Sequence, residues 1–120
     1  MKIYVAHSKM FDYINELYAP LKNIKGADFV FPHEYDTETI PSKEIIKTCD
    51  LFLAEVSFPG FGTGIEIGWA DAFKIPVVFL IKEGYRISSS LKIISDQFIE
   101  YNDSEDLEVK INELIKNYGQ

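Results

Sequence analysis

No disulfide can close within this chain, because Cys49 is its only cysteine among 120 residues. Cys49 ends an apolar helix pattern and reads as a small buried side chain rather than a nucleophile. Positive charge is also scarce. Twelve Lys and Arg stand against 19 Asp and Glu, a formal charge of −7, and Arg86 is the only arginine. Such a chain lacks the clustered cations that hold nucleic acid or an anionic membrane, so neither is expected as a partner. A small phosphorylated ligand, held by a few local groups, remains compatible with this balance. His7 and His33 are the only histidines, and no third residue stands at metal-ligand spacing, so no metal is expected. No apolar run approaches the roughly 20 residues a membrane-spanning helix needs, and Ile3–Ala6 is too short for a signal peptide. The expected location is therefore cytoplasmic.

What remains is one domain, 1–120, of ordinary size and able to bury a core unaided. Short apolar runs alternate with helix-period segments, the pattern of βαβ units around a parallel sheet. Strands are expected at Lys2–Ala6, Ala27–Phe31, Leu51–Val56, Pro76–Ile81 and Gln97–Tyr101. Met10, Ile14, Leu17 and Leu21 are spaced for one helix face, with Pro20 ending or kinking that helix near Tyr18. The polar stretch His33–Pro41 reads as a loop. A short helix follows from Ser42, turning Ile45, Ile46 and Cys49 inward. Another helix is expected over Thr63–Phe73. The last helix is capped by Asp103 or Ser104, carries Leu107, Ile111, Leu114, Ile115 and Tyr118 on one face, and has Gly119 as its C′ residue. The expected fold is a doubly wound, five-stranded α/β sheet in the flavodoxin-like (Rossmann-like) order 2-1-3-4-5, with ligands at the carboxyl ends of strands 1 and 3.

The third strand runs into a turn punctuated by Gly60, Gly62 and Gly64. Residues without Cβ let a ligand approach the backbone closely. The helix behind the turn offers unpaired N–H groups and a positive dipole end. Glu66 lies about one turn into that helix, where its carboxylate can face the crevice above the sheet. The bland alternative is ordinary turn chemistry with a good first-turn acid, and composition alone favours it. The segment is not a phosphate-binding P-loop, since no Gly-Lys-Ser/Thr follows. Nor is it a dinucleotide fingerprint, since the first turn, His7-Ser8-Lys9, has no glycine. No cofactor is expected.

Ala54-Glu55-Val56-Ser57 followed by Pro59-Gly60-Phe61-Gly62-Thr63-Gly64-Ile65-Glu66-Ile67-Gly68-Trp69-Ala70 resembles the signature of the nucleoside 2-deoxyribosyltransferase-like family, which includes deoxynucleoside 5′-monophosphate N-glycosidases. Weaker similarity extends from Ile3-Tyr4-Val5-Ala6 to Arg86-Ile87-Ser88-Ser89-Ser90. The resemblance implies a Rossmann-like domain acting on a nucleoside or nucleotide and assembled as a homodimer or higher homo-oligomer. It implies that Glu66 is the nucleophile that attacks C1′ of the sugar, with the Tyr4 hydroxyl hydrogen-bonded to it. Ser89, from a neighbouring subunit, would hold a 5′-phosphate, and the loop carrying Ser8 would contact the same end. Two positions depart from the pattern. Ser42 stands where many members carry an aspartate serving the sugar or departing base, and serine is no general acid near neutral pH. Glu38 and Glu44 are the nearby acids that could take over. Gly60 stands where the monophosphate glycosidases have a phosphate-binding serine, for which Ser57 or backbone N–H groups could compensate.

A carboxylate against C1′ stabilises the oxocarbenium character that builds as an N-glycosidic bond breaks, and a second group must protonate or hydrogen-bond the base. Glu55 is a candidate for that second group only if it faces the crevice; pairing with a lysine or backbone N–H groups is the alternative. Arg86 beside Ser88, Ser89 and Ser90 reads either as a phosphate contact or as a polar loop. His7 is placed to line the site and His33 to lie near the base. Phe58, Phe61 and Trp69 stack on a base or pack as core or interface. The competing reading is a non-catalytic nucleotide-binding module, which Ser42 favours. A phosphoreceiver domain does not fit, because Ala6-His7 and Glu55 stand where its acids would be.

Overall fold

A computed structural model describes residues 1–34 and 40–118. Expectations for Glu38 and Gly119 lie outside the described residues. Five strands form one parallel sheet in the order β2-β1-β3-β4-β5, as the alternating pattern implies. They are β1 (Lys2–His7), β2 (Asp28–Val30), β3 (Leu51–Glu55), β4 (Val77–Lys82) and β5 (Phe98–Tyr101). Helices α1 (Ala19–Lys22), α2 (Ser42–Lys47), α3 (Phe61–Ala72) and α4 (Ser104–Tyr118) connect and cover them.

The period of two along each strand separates two cores. Ile3, Val5, Leu51, Leu53, Val78 and Leu80 pack with Leu17, Leu21, Leu107 and Ile111, on the face covered by α1 and α4. Tyr4, Ala6, Phe52, Ala54 and Phe79 pack with Ile46, Ile67 and Ala70, on the face covered by α2 and α3. Both faces of β1, β3 and β4 are covered, which accounts for their nearly unbroken apolar runs. The register aligns Tyr4 with Phe52 and His7 with Glu55, so β1 and β3 end at one level beneath the α3 N-terminus.

Pro20 does not end the first helical segment. A π-helical turn, Ile14–Tyr18, runs directly into α1, with Pro20 in its first turn. Proline lacks the N–H that would bond the carbonyl four residues back, and the wider π turn absorbs that missing bond. Leu17 and Leu21 are buried as expected, whereas Met10 precedes the helix and is exposed. Helix α3 starts two residues earlier than its sequence pattern implies, at Phe61. At α4, the Asp106 N–H donates to Asp103 Oδ1 at 2.8 Å, which makes Asp103 the cap. Cys49 is buried as a small apolar group, and burial raises its thiol pKa.

Candidate functional site

Strand parity builds the site. Tyr4 belongs to the α2/α3 face, and α3 carries Glu66 on the side turned toward it. The Tyr4 hydroxyl donates to Glu66 Oε2 at 2.5 Å, across 62 residues of sequence. The Tyr4 ring is fully buried and stacked on Phe52, with centroids 5.4 Å apart and planes within 5°. The hydroxyl is therefore held by packing. Ser42, the first residue of α2, lines the same cavity as Glu66; its hydroxyl donates to the Ile40 carbonyl at 3.5 Å and lies close enough to lower the proton affinity of Glu66. Burial pushes the Glu66 carboxyl above its usual range, and the Tyr4 and Ser42 hydroxyls pull it back. Burial, and then the adjacent Glu66 charge, hold the Tyr4 phenol well above its ordinary value, so it stays a donor.

Glu66 lines an open cavity of about 370 Å³, with His7, Ser8, Lys9, His33, Ser42, Gly60, Gly62, Thr63, Ile65 and Trp69. Of the sequence-predicted residues, His7, Ser8, Gly60, Gly62 and Glu66 line this space, and the buried Tyr4 reaches it only through its bond to Glu66. Gly60 opens α3 in an extended conformation, with no side-chain cap and no acid in the first turn. A Cβ at Gly60 would come within 3.2 Å of Thr63 Oγ1 and 3.4 Å of the Ser8 Cβ. A side chain at Gly60 would therefore make Thr63 or Ser8 give by a few tenths of an ångström.

His7 has a structural task there. Its Nδ1–H donates to the Ser8 carbonyl at 2.8 Å, because a carbonyl only accepts. Nε2 accordingly accepts from the Tyr18 hydroxyl at 2.5 Å. Tyr18 in turn accepts from the His33 N–H at 3.0 Å. Burial drives the His7 pKa down from 6.5 to about 4, so the ring is neutral near pH 7 with both nitrogens occupied. It forms the wall and orders the loop, and presents no free nitrogen to a ligand.

Glu55 does not face this cleft. It shares the parity of Leu51 and Leu53, so its side chain passes to the opposite side of the sheet, where it is buried. Tyr101 O–H donates to Glu55 Oε2, the Ser57 N–H to Oε1 at 2.6 Å, and the Ser57 hydroxyl to Oε2 at 2.9 Å. The Ser57 oxygen also accepts from the Lys82 N–H at 2.8 Å. Burial raises the Glu55 pKa against these hydrogen bonds. The network ties the start of the glycine turn to β4 and β5 and commits the Ser57 hydroxyl. Glu44 is exposed beside Lys47 at 3.9 Å and does not replace the missing acid at position 42.

Beyond Gly60 and Thr63, a second cavity of about 290 Å³ is lined by Ser57, Gly64, Arg86 and Ser88, among others. Arg86 therefore lies outside the Glu66 cavity. Ser89, exposed at the start of a 3₁₀ helix (Ser89–Ile93), lines neither cavity. Phe58 stacks on Phe11, while Phe61 is 96% exposed. Trp69 forms part of the Glu66 cavity wall, with the Lys43 ammonium over its ring. Sequence reasoning passed over Thr63, Lys9 and Tyr18; the only available signal for Thr63 was its being the sole hydroxyl between Gly60 and Gly64.

No protein-family model and no curated protein sequence matches the chain. Solved structures do. The chain is similar to the Clostridium botulinum CMP N-glycosidase BcmB, with a TM-score of 0.68 and 26% identity over 93% of this chain and 99% of that one. It is also similar in fold to a 2-deoxyribosyltransferase from Bacillus psychrosaccharolyticus, with a TM-score of 0.66 and 20% identity over 90% of each chain.

Proposed function

From its likeness to a CMP N-glycosidase over nearly its whole length, we take this chain as a member of the nucleoside 2-deoxyribosyltransferase-like family, and we propose that it cleaves or transfers the N-glycosidic bond of a (deoxy)nucleoside or its 5′-monophosphate. The supporting observation is the Glu66 carboxylate on the cavity wall, held by the buried Tyr4 hydroxyl. In this reading Glu66 attacks C1′ as the bond to the base nitrogen breaks and its electron pair leaves with the base. The glycosyl–carboxylate ester then passes its sugar to water or to a second base. Tyr4 orients the carboxylate, and Tyr4 and Ser42 lower its proton affinity. The loop at Ser8 and the α3 N-terminus, with Gly60 and Gly62, receive the 5′ end of the sugar.

In the same reading the protein acts as a homodimer or higher homo-oligomer. Met10, Phe61 and Ile65 are 69%, 96% and 54% exposed on or beside the rim of the cleft, an apolar surface suited to a second copy. Ser89, outside its own cleft, then contributes to the neighbour's. Light scattering should return at least twice the chain mass, and a monomer would remove the Ser89 role.

A second reading, a non-catalytic nucleotide-binding module, is favoured by Ser42, which leaves no carboxylic acid other than Glu66 lining the cavity among the described residues. One experiment separates the two. Nucleosides and 5′-monophosphates are incubated with the protein, with and without an acceptor base, and free or exchanged base is followed by chromatography. Catalysis requires base release that falls at least about 10³-fold in Glu66→Ala. Ligand binding without turnover across the panel would leave the module.

A further inference from the structure

The cleft continues past the glutamate. Its two cavities share Gly60 and Thr63 as a common wall, so they form compartments on either side of the α3 N-terminus. Three observations mark the far compartment. The Thr63 side chain is 6% exposed, and its hydroxyl has no hydrogen-bond partner among the described residues. A buried polar group left this way is unfavourable unless a ligand supplies the bond. The first amides of α3 have no side-chain cap and no neighbouring first-turn acid, which leaves N–H groups and dipole open to an anion. Finally, Arg86, the only arginine in a chain of net charge −7, lines this compartment with Ser88, and no carboxylate among the described residues lines it.

Glu66 lines the first compartment, Gly60 and Thr63 the wall shared by the two, and Arg86 the second. Glu66 and Thr63 are three residues apart, about 4.5 Å along the helix axis. A sugar whose C1′ meets Glu66 thus has its 5′ end near Thr63 and the α3 amides. Arg86 lies farther on, beyond the neck at Gly60. Its planar fork suits a terminal phosphoryl group better than a single ammonium would.

Resting on the reading of Glu66 as the sugar-facing group, we propose that the Arg86 compartment is a second phosphoryl site, and that the ligand is a nucleoside 5′-diphosphate. Its inner phosphoryl group accepts from the α3 amides and the Thr63 hydroxyl. Its terminal group accepts from Arg86 and Ser88.

Isothermal titration on the Glu66→Gln protein tests this, with the mono- and diphosphates of the common nucleosides as probes. A diphosphate should bind at least about tenfold more tightly than its monophosphate, the gain of one charge-assisted contact. Arg86→Ala should abolish that advantage and leave monophosphate binding within about twofold, and Arg86→Lys should retain part of it. Thr63→Val, which keeps the shape and removes the hydroxyl, should weaken both ligands alike. Equal affinity for mono- and diphosphate, or an Arg86→Ala loss common to both, overturns the proposal. So does a monophosphate whose affinity rises when inorganic phosphate is added, because the occupant would then be free phosphate. A diphosphate preference without Glu66-dependent turnover would remove the reaction and keep the compartment; turnover without the preference would do the reverse.

Discussion

Removing the Tyr4 hydroxyl isolates the contact on which the site turns. Tyr4→Phe keeps the ring, its stacking on Phe52 and its buried volume, so no cavity opens. It deletes only the donor to Glu66 Oε2. A hydrogen bond to a charged acceptor contributes about 1.5–3 kcal/mol, and one pKa unit corresponds to about 1.4 kcal/mol. Burial already raises the Glu66 pKa, and Tyr4 is the larger of the two hydroxyl contributions opposing it. The variant should therefore lift that pKa by a further one to two units. A nucleophile must be ionised, so kcat/KM falls on the acid side. In Tyr4→Phe that fall should move to higher pH, with activity recovering as pH rises. Carbon NMR titration of the labelled Glu66 side chain reads the same shift without turnover. An unmoved acid limb, or a loss equal at every pH, would refute the view that Tyr4 acts by holding the ionised carboxylate.

Other perturbations have signs set by the same site. The folded-state pKa of His7 is depressed, so its contribution to stability is complete above pH 6.5 and is lost as pH falls through about 4. A shift of about 2.5 units corresponds to about 3 kcal/mol, so the stability gap between wild type and His7→Asn in urea melts should narrow by about that much from pH 7.5 to 4. A gap independent of pH would contradict this. Glu66 is shifted the other way: its folded form favours the proton, so wild type loses stability as pH rises above 4.5. Glu66→Gln should consequently melt higher than wild type at pH 7, with the advantage shrinking at pH 4; a lower melt at pH 7 would count against a buried, functionally strained carboxylate. Glu55→Gln turns one of two buried acceptor oxygens, which together serve three donors, into an NH2 donor and should lower Tm by roughly 8 °C, about 2 kcal/mol for this chain length. Ser42→Asp adds a carboxylate beside Glu66, so one member of the pair should hold its proton about one unit or more higher, and base release should become bell-shaped in pH. An unchanged profile would place residue 42 away from the reacting atoms.

The strand order was legible because it depends on strong, local signals, whereas the meeting of Tyr4 with Glu66, 62 residues apart, was implied only by the family resemblance. Unbroken apolar runs mark covered strands, and glycines before a helix mark a turn with an open N-terminus. Other features depend on how distant segments meet. The Glu55 orientation follows from pleat parity, but only once the register sets it level with His7 and fixes which face α3 covers. Pro20 reads as a helix end in any single sequence; that a π turn precedes it is decided by packing of Leu17 and Tyr18 on the sheet. His7 looked like a polar wall residue, yet the Ser8 carbonyl and the Tyr18 hydroxyl, neither visible as a partner in sequence, occupy both nitrogens.

Ser42 shows most clearly why absence at a sequence position is not absence from a site. As a replacement for an acid it weakens the case for catalysis, since a hydroxyl cannot deliver a proton near neutral pH. As a hydroxyl beside Glu66 it changes the site in the opposite sense, lowering the proton affinity of the carboxylate. A carboxylate beside Glu66 would raise that group's pKa by like-charge repulsion, whereas a hydroxyl lowers it. The exchange thus costs help for the departing base and yields a larger ionised fraction of the attacking group. The net effect on rate depends on how much help the departing base needs. Base release measured across substrates whose bases differ in leaving ability should accordingly show a steeper dependence in wild type than in Ser42→Asp; equal slopes would mean that residue 42 has no part in the departure of the base.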